Sequence, residues 1–258
     1  MKEKIFGDAG RKVIIEDYLE GEEVSVLAFS DGQNVVPMVS SQDYKKIYDH
    51  GRGPNTGGMG AYSPVPFYDE NSKNKILEKV LKPIISGLKK EGREYKGVIY
   101  TGLVFSKKGI KVLEFNARFG DPETQVLLPR LETDIVEIFM AVLNGKLPKI
   151  DIKWKKNPVV CVIAASGGYP AKYQKGKRIC GLEKLKNKDD VFAFHAGTRY
   201  QEEKIVTSGG RVLGITAWAE NISEAKKKAY EGMEKIYFQD MYYRKDIAAK
   251  AIKEKKND

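Results

Sequence analysis

An α+β fold is what the sequence predicts, on three observations. Two pairs of β-rich runs are each joined by a short turn signal, the mark of an antiparallel hairpin. Helical periodicity is confined to separate blocks. The second half is strand-rich with one clear helix, a segregated pattern. The 258 residues, 41% of them hydrophobic, suffice for one large domain or two ordinary ones.

Taken in order, Val13–Ile15 reads as a short buried strand, followed by the acidic stretch Glu16–Glu23. Val24–Ser30 and Val35–Ser40 flank Asp31-Gly32-Gln33-Asn34, a hairpin turn. Gln42–Pro66 has no regular apolar period and is rich in Gly and Pro, so it reads as a long loop, a class that is often functional. Ser72 can cap a helix whose residues Ile76, Leu77, Val80, Leu81, Ile84, Ile85 and Leu88 share one face, with a kink or split expected at Pro83. Val98–Phe105 and Ile110–Phe115 form a second hairpin around Ser106–Gly109. A helix from about Thr133 to Leu143 stops at Asn144-Gly145. Leu147–Pro158, with two prolines and four lysines, reads as a domain boundary that divides the chain into 1–150 and 151–258. Beyond it, strands are expected at Val159–Ala165, Val191–His195, Lys204–Thr207 and Arg211–Ala219, then a helix capped by Ser223.

Several function classes recede. No uninterrupted apolar run of about 18 residues occurs, so no membrane span is expected. The start of the chain lacks the apolar run of a secretory signal. Cys161 and Cys180 offer no CxxC pair, and both read as reduced, packed thiols of a cytoplasmic protein. The formal charge of +10 is dispersed, without a zinc-finger, helix-turn-helix or RNP signature; it reads as solvated surface and phosphate steering, with no nucleic-acid partner. With two histidines in the chain, no nucleophilic triad can be argued, and His195 reads as a structural residue at a strand end.

The most informative stretch is Val112–Glu123. Along a strand, side chains alternate, so Glu114 and Asn116 share one face while Leu113 and Phe115 should bury on the other. A carboxylate beside an amide oxygen suits magnesium, which takes one or two protein oxygens with phosphate and water completing its shell. Arg118 follows, suited to gripping a phosphate or acyl phosphate. Ile15–Glu23 can present backbone groups to an adenine edge and a carboxylate to ribose, although an acidic turn of this kind is more often merely solvated. Gly51–Pro64 is a glycine-rich loop able to cradle an anion with its N–H groups, and it is neither a Walker A motif nor a GxGxxG.

Ile14–Glu23, Ser41–Lys45, Gly53–Pro64 and Glu114–Gln125 stand in the order and spacing of the phosphoribosylamine–glycine ligase family of the ATP-grasp superfamily, which the chain resembles over essentially its whole length. Ala164–Pro170, Phe194–Thr198, Gly209–Leu213 and Tyr243–Ile247 resemble that family's C-terminal domain. The resemblance implies the second lobe of an ATP-grasp domain, an antiparallel sheet with helices, followed by a small strand-rich α+β domain. It implies an enzyme that activates glycine with ATP as glycyl phosphate, then joins it to 5-phosphoribosylamine in purine biosynthesis. Glu16, Asp17, Tyr18 and Leu19 would then form the adenine hinge, and Glu23 would hold ribose. Glu114 and Asn116 would ligate Mg²⁺ or Mn²⁺, and Arg118 and Asp121 would be catalytic. Asp43, Lys45, Asn55, Thr56, Gly57, Gly58 and Gly60 would line the glycine and phosphoribosylamine pockets. The family's N-terminal domain and first ATP-grasp lobe have no counterpart here, so the chain is expected to be a C-terminal portion. Activity would then need a partner polypeptide carrying the missing half. Other ATP-grasp enzymes fit the Asn55–Tyr62 loop less well, and a non-catalytic remnant is the reading of a different class.

Overall fold

The structure, a computed structural model, describes residues 7–186 and 188–254. In the first half, β1 (Glu22–Asp31) and β2 (Val35–Pro37) form the first expected hairpin, whose turn is closed by the Asp31 carboxylate accepting from the Gln33 and Asn34 amides. Four short strands follow, β3 (Gln42–Asp43), β4 (Lys46–Tyr48), β5 (Arg52–Asn55) and β6 (Gly60–Ser63). Helices α1 (Glu70–Ile76) and α2 (Lys82–Lys90) come next, then the hairpin of β7 (Lys96–Ser106) and β8 (Gly109–Asn116). The short α3 (Thr124–Leu127) and α4 (Ile135–Leu143) complete this half.

The second half holds β9 (Val159–Ser166), β10 (Val191–His195), β11 (Thr198–Gln201), β12 (Lys204–Thr207), β13 (Arg211–Trp218), α5 (Ile222–Met233), β14 (Met241–Tyr242) and α6 (Ala249–Glu254). Strands β2-β1-β7-β8 make a four-stranded antiparallel sheet. A second sheet runs β10-β13-β9-β6-β3, with β14 also on β9, so strands from both sides of residue 150 share it.

One face of the first sheet (Val24, Val26, Ala28, Ile99, Leu103) packs on Ile76, Leu81 and Ile85 of the α1–α2 region. The opposite face carries Leu27, Phe29, Val98 and Tyr100 against Ile138 and Val142 of α4. The α4 cover stops short of the end of β1, and there the same face turns polar. Register puts Glu23 and Ser25 of β1, Gly102 of β7 and Glu114 and Asn116 of β8 on it together.

Five expectations are corrected. Val13–Ile15 is not a buried strand: Ile14 and Ile15 are 88% and 90% exposed, with no neighbouring strand to pair their backbone. Gln42–Pro66 is not a loop throughout, because β6 is fully buried between β3 and β9. The helix caps are Asp69 and Asn221 rather than Ser72 and Ser223; each accepts from an amide three residues on and starts its helix earlier. Leu113 and Phe115 do not bury as a pair: β8 is an edge strand and Phe115 remains 40% exposed. Cys161 is buried, but Cys180 is exposed. The expected break at Pro83 takes the form of a π-helical turn over Leu77–Leu81, which absorbs the missing proline N–H just ahead of α2.

Candidate functional site

The polar end of the first sheet is where the chemistry gathers. Glu114 projects from β8 across from Gly102 and Asn116 across from Tyr100, and a Cβ added at Gly102 would stand 3.2 Å from Glu114 Cγ. A glycine there keeps open the space in front of the carboxylate. A β-bulge beside this point, between the Gly102 and Leu103 pairings, bends the edge strand. The donor set, one carboxylate and one amide oxygen with an empty cradle opposite, fits a hard divalent cation that takes the rest of its shell from phosphate and water. Among the described residues no group of three or more His, Cys, Asp or Glu side chains could hold a metal ion.

Glu23 leads from this face to a cavity of about 560 Å³ that brings together Glu23, Asp43, Lys45 and Asn55, all expected site residues, with Tyr44, His50, Arg244, Asp246 and Lys250. Lys45 Nζ pairs with Glu23 at 3.1 Å. Burial pulls the Lys45 ammonium down, but Asp43, Glu23 and Glu114 hold it above the ordinary lysine range. Asp43 behaves oppositely. Burial first, and then the charge of Glu123, push its carboxyl up to about 7, against the opposing pull of Lys45. Glu123, only 3% exposed, accepts from Ser25 Oγ at 3.0 Å, and Ser25 Oγ lies 2.9 Å from the Tyr100 hydroxyl. At the far wall the Arg244 guanidinium forks onto Asp246 at 2.8 and 2.6 Å. Although burial opposes it, that fork and the His50 amide hold the Asp246 carboxyl at about 2.

The remaining expected residues lie around this centre. Glu16, Asp17 and Tyr18 are exposed and irregular and Leu19 is half-buried; the segment enters β1 through Gly21, where any Cβ would strike Phe105 O. Arg118 is exposed and donates to Phe119 O at 2.8 Å. Asp121 is gripped by Arg211 through both carboxylate oxygens, at 3.0 and 3.1 Å.

The glycine-rich loop proves different from an open cradle. Thr56 N donates to Lys45 O, Gly57 N to the Tyr169 hydroxyl and Gly58 N to Thr56 Oγ1, so these amides are spent within the protein. The glycines are there for close approach instead: a Cβ at Gly58 would meet Pro122, and one at Gly60 would meet Cys161 O at 2.6 Å. Glu123, Tyr169, Arg211, Arg244 and Asp246 were missed as functional residues. All five lie within the stretches that carry the resemblance, but apart from the Arg244–Asp246 pair their contacts join residues distant in sequence. His195, at the exposed end of β10, lies 3.0 Å through Nδ1 from Thr198 Oγ1, as a structural histidine would.

Comparison with known proteins adds names to this geometry. Residues 1–124 match the phosphoribosylglycinamide synthetase ATP-grasp (A) domain, and residues 159–250 match the phosphoribosylglycinamide synthetase C domain. A phosphoribosylamine–glycine ligase from Caldanaerobacter subterraneus is 54% identical over 96% of this chain and 59% of its own length. A trifunctional purine biosynthetic protein from Gallus gallus is 49% identical over 98% of this chain and 25% of its own. The solved phosphoribosylamine–glycine ligase of Thermotoga maritima superposes with a TM-score of 0.80 at 35% identity, over 90% of this chain and 56% of that one. A biotin carboxylase domain from Hydrogenobacter thermophilus, solved with magnesium ADP, shares the fold at 13% identity and a TM-score of 0.69. The chain thus spans less than two thirds of the single-function relatives it matches.

Proposed function

The chain belongs to the phosphoribosylglycinamide synthetase family, of ATP-grasp fold, and we propose from this that it carries the metal-and-nucleotide side of a ligase joining glycine to 5-phosphoribosylamine. The observation that carries the reading is the shared polar face of Glu23, Glu114 and Asn116 with Gly102 open before it. Glu114 and Asn116 would hold Mg²⁺ or Mn²⁺, which supplies charge neutralisation for the phosphates of ATP. Glu23 would accept the ribose hydroxyls, with the backbone of Glu16–Leu19 along the adenine edge.

Phosphoryl transfer needs positioning and electrostatics more than covalent help. In this reading Lys45 and Arg118 supply positive charge near the transferred group, while Asp43 and Asn55 line the substrate cavity and the Thr56–Gly60 loop braces Lys45 from behind. The glycine carboxylate attacks the γ-phosphorus to give glycyl phosphate and ADP. The amine of 5-phosphoribosylamine then attacks the acyl carbon, the C–O bond to phosphate breaks, and the nitrogen loses a proton. Asp43, with a carboxyl poised near neutrality, can hold that proton. Asp121, clamped by Arg211, serves to fix the loop rather than to react. Residues 1–150 and 151–258 are proposed as the two domains, joined through the second sheet. A cytoplasmic location is proposed on the two unpaired cysteines.

A second reading rests on the exposure of Ile14, Ile15 and Tyr18 along the proposed hinge. In it, a partner polypeptide with the rest of the relatives' length covers this edge and completes the ATP site. Magnesium-ATP titration by calorimetry, with the chain alone and with such a polypeptide, tests both. Binding lost in Glu114→Ala supports the metal assignment. Absence of binding in either setting, or binding indifferent to Glu114→Ala, would remove it. Phosphate release dependent on both glycine and 5-phosphoribosylamine tests the ligase itself.

A further inference from the structure

Lys45 is the cation that the carboxylates of the site share, and arginines from the second half grip the residues next to it and next to its backbone partner Thr56. On one flank, Thr56 donates to Lys45 O from N at 2.7 Å and from Oγ1 at 2.8 Å. The next residue is caught twice from the second half: Gly57 N donates to the Tyr169 hydroxyl at 3.0 Å, and Gly57 O accepts from Arg211 Nη1 at 2.8 Å. The same guanidinium forks onto Asp121, so it joins the loop to the segment leaving β8. A bulge in β13, between the Arg211 and Leu213 pairings, sets Arg211 apart from the regular ladder. On the other flank, Arg244 Nη1 donates to Lys46 O at 2.9 Å, and its plane lies 4.8 Å from the centre of the Tyr44 ring. Lys46 in turn pairs with Asn55 across β4 and β5, so the two flanks are coupled.

We propose that Arg211 and Arg244 are positioning residues that together set Lys45 in the substrate cavity. The proposal deepens the reading of the site given above and rests on it for the role of Lys45. A guanidinium suits the task because its planar fork serves a carboxylate and a carbonyl at once, which a lysine ammonium cannot do in the same geometry. The glycine at position 57 belongs to the device. A Cβ there would lie 2.9 Å from Arg211 Cζ, so any larger residue displaces the fork.

The test uses the chain with ¹⁵N-labelled lysine, the Lys45 Nζ resonance being identified by its disappearance in Lys45→Arg. In Arg211→Lys, which keeps the charge and loses the fork, that resonance is expected to move toward those of the exposed lysines. Hydrogen exchange at the Thr56 amide should rise at the same time, while β1 and β7 amides keep their protection. Gly57→Ala attacks the same contact from the loop side and should give the same pair of changes. Arg244→Lys should move the Lys45 resonance through Lys46; where it fails to fold, the other two variants decide. An unmoved Lys45 resonance in both Arg211→Lys and Gly57→Ala overturns the proposal. So does a change spread evenly over all lysines with general loss of protection, the mark of a merely structural arginine. Failure to bind magnesium-ATP both alone and with the polypeptide that completes the site counts against the function proposed above and leaves these resonances readable.

Discussion

Asp43 offers a sharp quantitative test, because its carboxyl is lifted from an ordinary 3.8 to about 7 by burial and then by Glu123. A folded-state value above the unfolded one means that the native protein binds the extra proton between those two limits. The stabilisation is therefore full below about pH 4 and is lost as pH rises through 7. At about 1.4 kcal/mol per unit, the loss is on the order of 4 kcal/mol, a large share of a domain's net stability. Glu123, Lys45 and Glu23 face Asp43 from the surrounding elements, and Asp43→Asn leaves all three in place, so the difference between the two proteins belongs to the Asp43 carboxyl. Urea denaturation from pH 4.5 to about 8 checks it, with Asp43→Asn as the neutral reference. The unsubstituted chain should lose stability steadily relative to Asp43→Asn as pH rises. Parallel curves for the two proteins would refute the reasoning, since they require an Asp43 carboxyl that ionises equally in folded and unfolded chains.

Three further outcomes are expected. Gly102→Ala places a methyl 3.2 Å from Glu114 Cγ and should weaken magnesium-nucleotide binding by roughly tenfold in calorimetry, with little change in melting temperature. Gly60→Ala drives a Cβ to 2.6 Å from Cys161 O and parts β6 from β9, so denaturant midpoints should report a loss of about 2–4 kcal/mol. Arg130, 5% exposed and bonded to Ser63 Oγ and Lys155 O, should cost about 3 kcal/mol in Arg130→Ala, because it leaves the buried Ser63 Oγ and the Lys155 carbonyl without their donor.

What could be read in the sequence was local. The hairpins around Asp31–Asn34 and Ser106–Gly109 announce themselves because turn residues and strand residues adjoin, and the Glu114-Phe115-Asn116 alternation places two oxygens on one face by strand geometry alone. Capping was off by one turn or less, since Asp69 and Asn221 are as good acceptors as the serines near them. Long-range pairing was opaque. Nothing within Gly60–Ser63 says that its ladder partner is β9, and without that partner Gly60 looks like part of an anion-binding loop. The grips of Arg211 on Asp121 and of Arg244 on Lys46 O link residues 90 and 198 positions apart, beyond the reach of any local pattern.

The seam between the halves also bears on the order in which the molecule is made. β6 pairs with β3 on one side, but its other ladder is on β9, and β9 ends at Ser166. Closing so long a loop costs several kcal/mol of chain entropy before any pairing repays it. During synthesis the β1–β7–β8 meander can form early, with Glu114 and Asn116 already side by side on it. The substrate loop must stay unmoored until the second half emerges from the ribosome. A nascent chain halted near residue 150 would therefore present the formed Glu114–Asn116 face before the cavity walled by Arg244 and Asp246 exists.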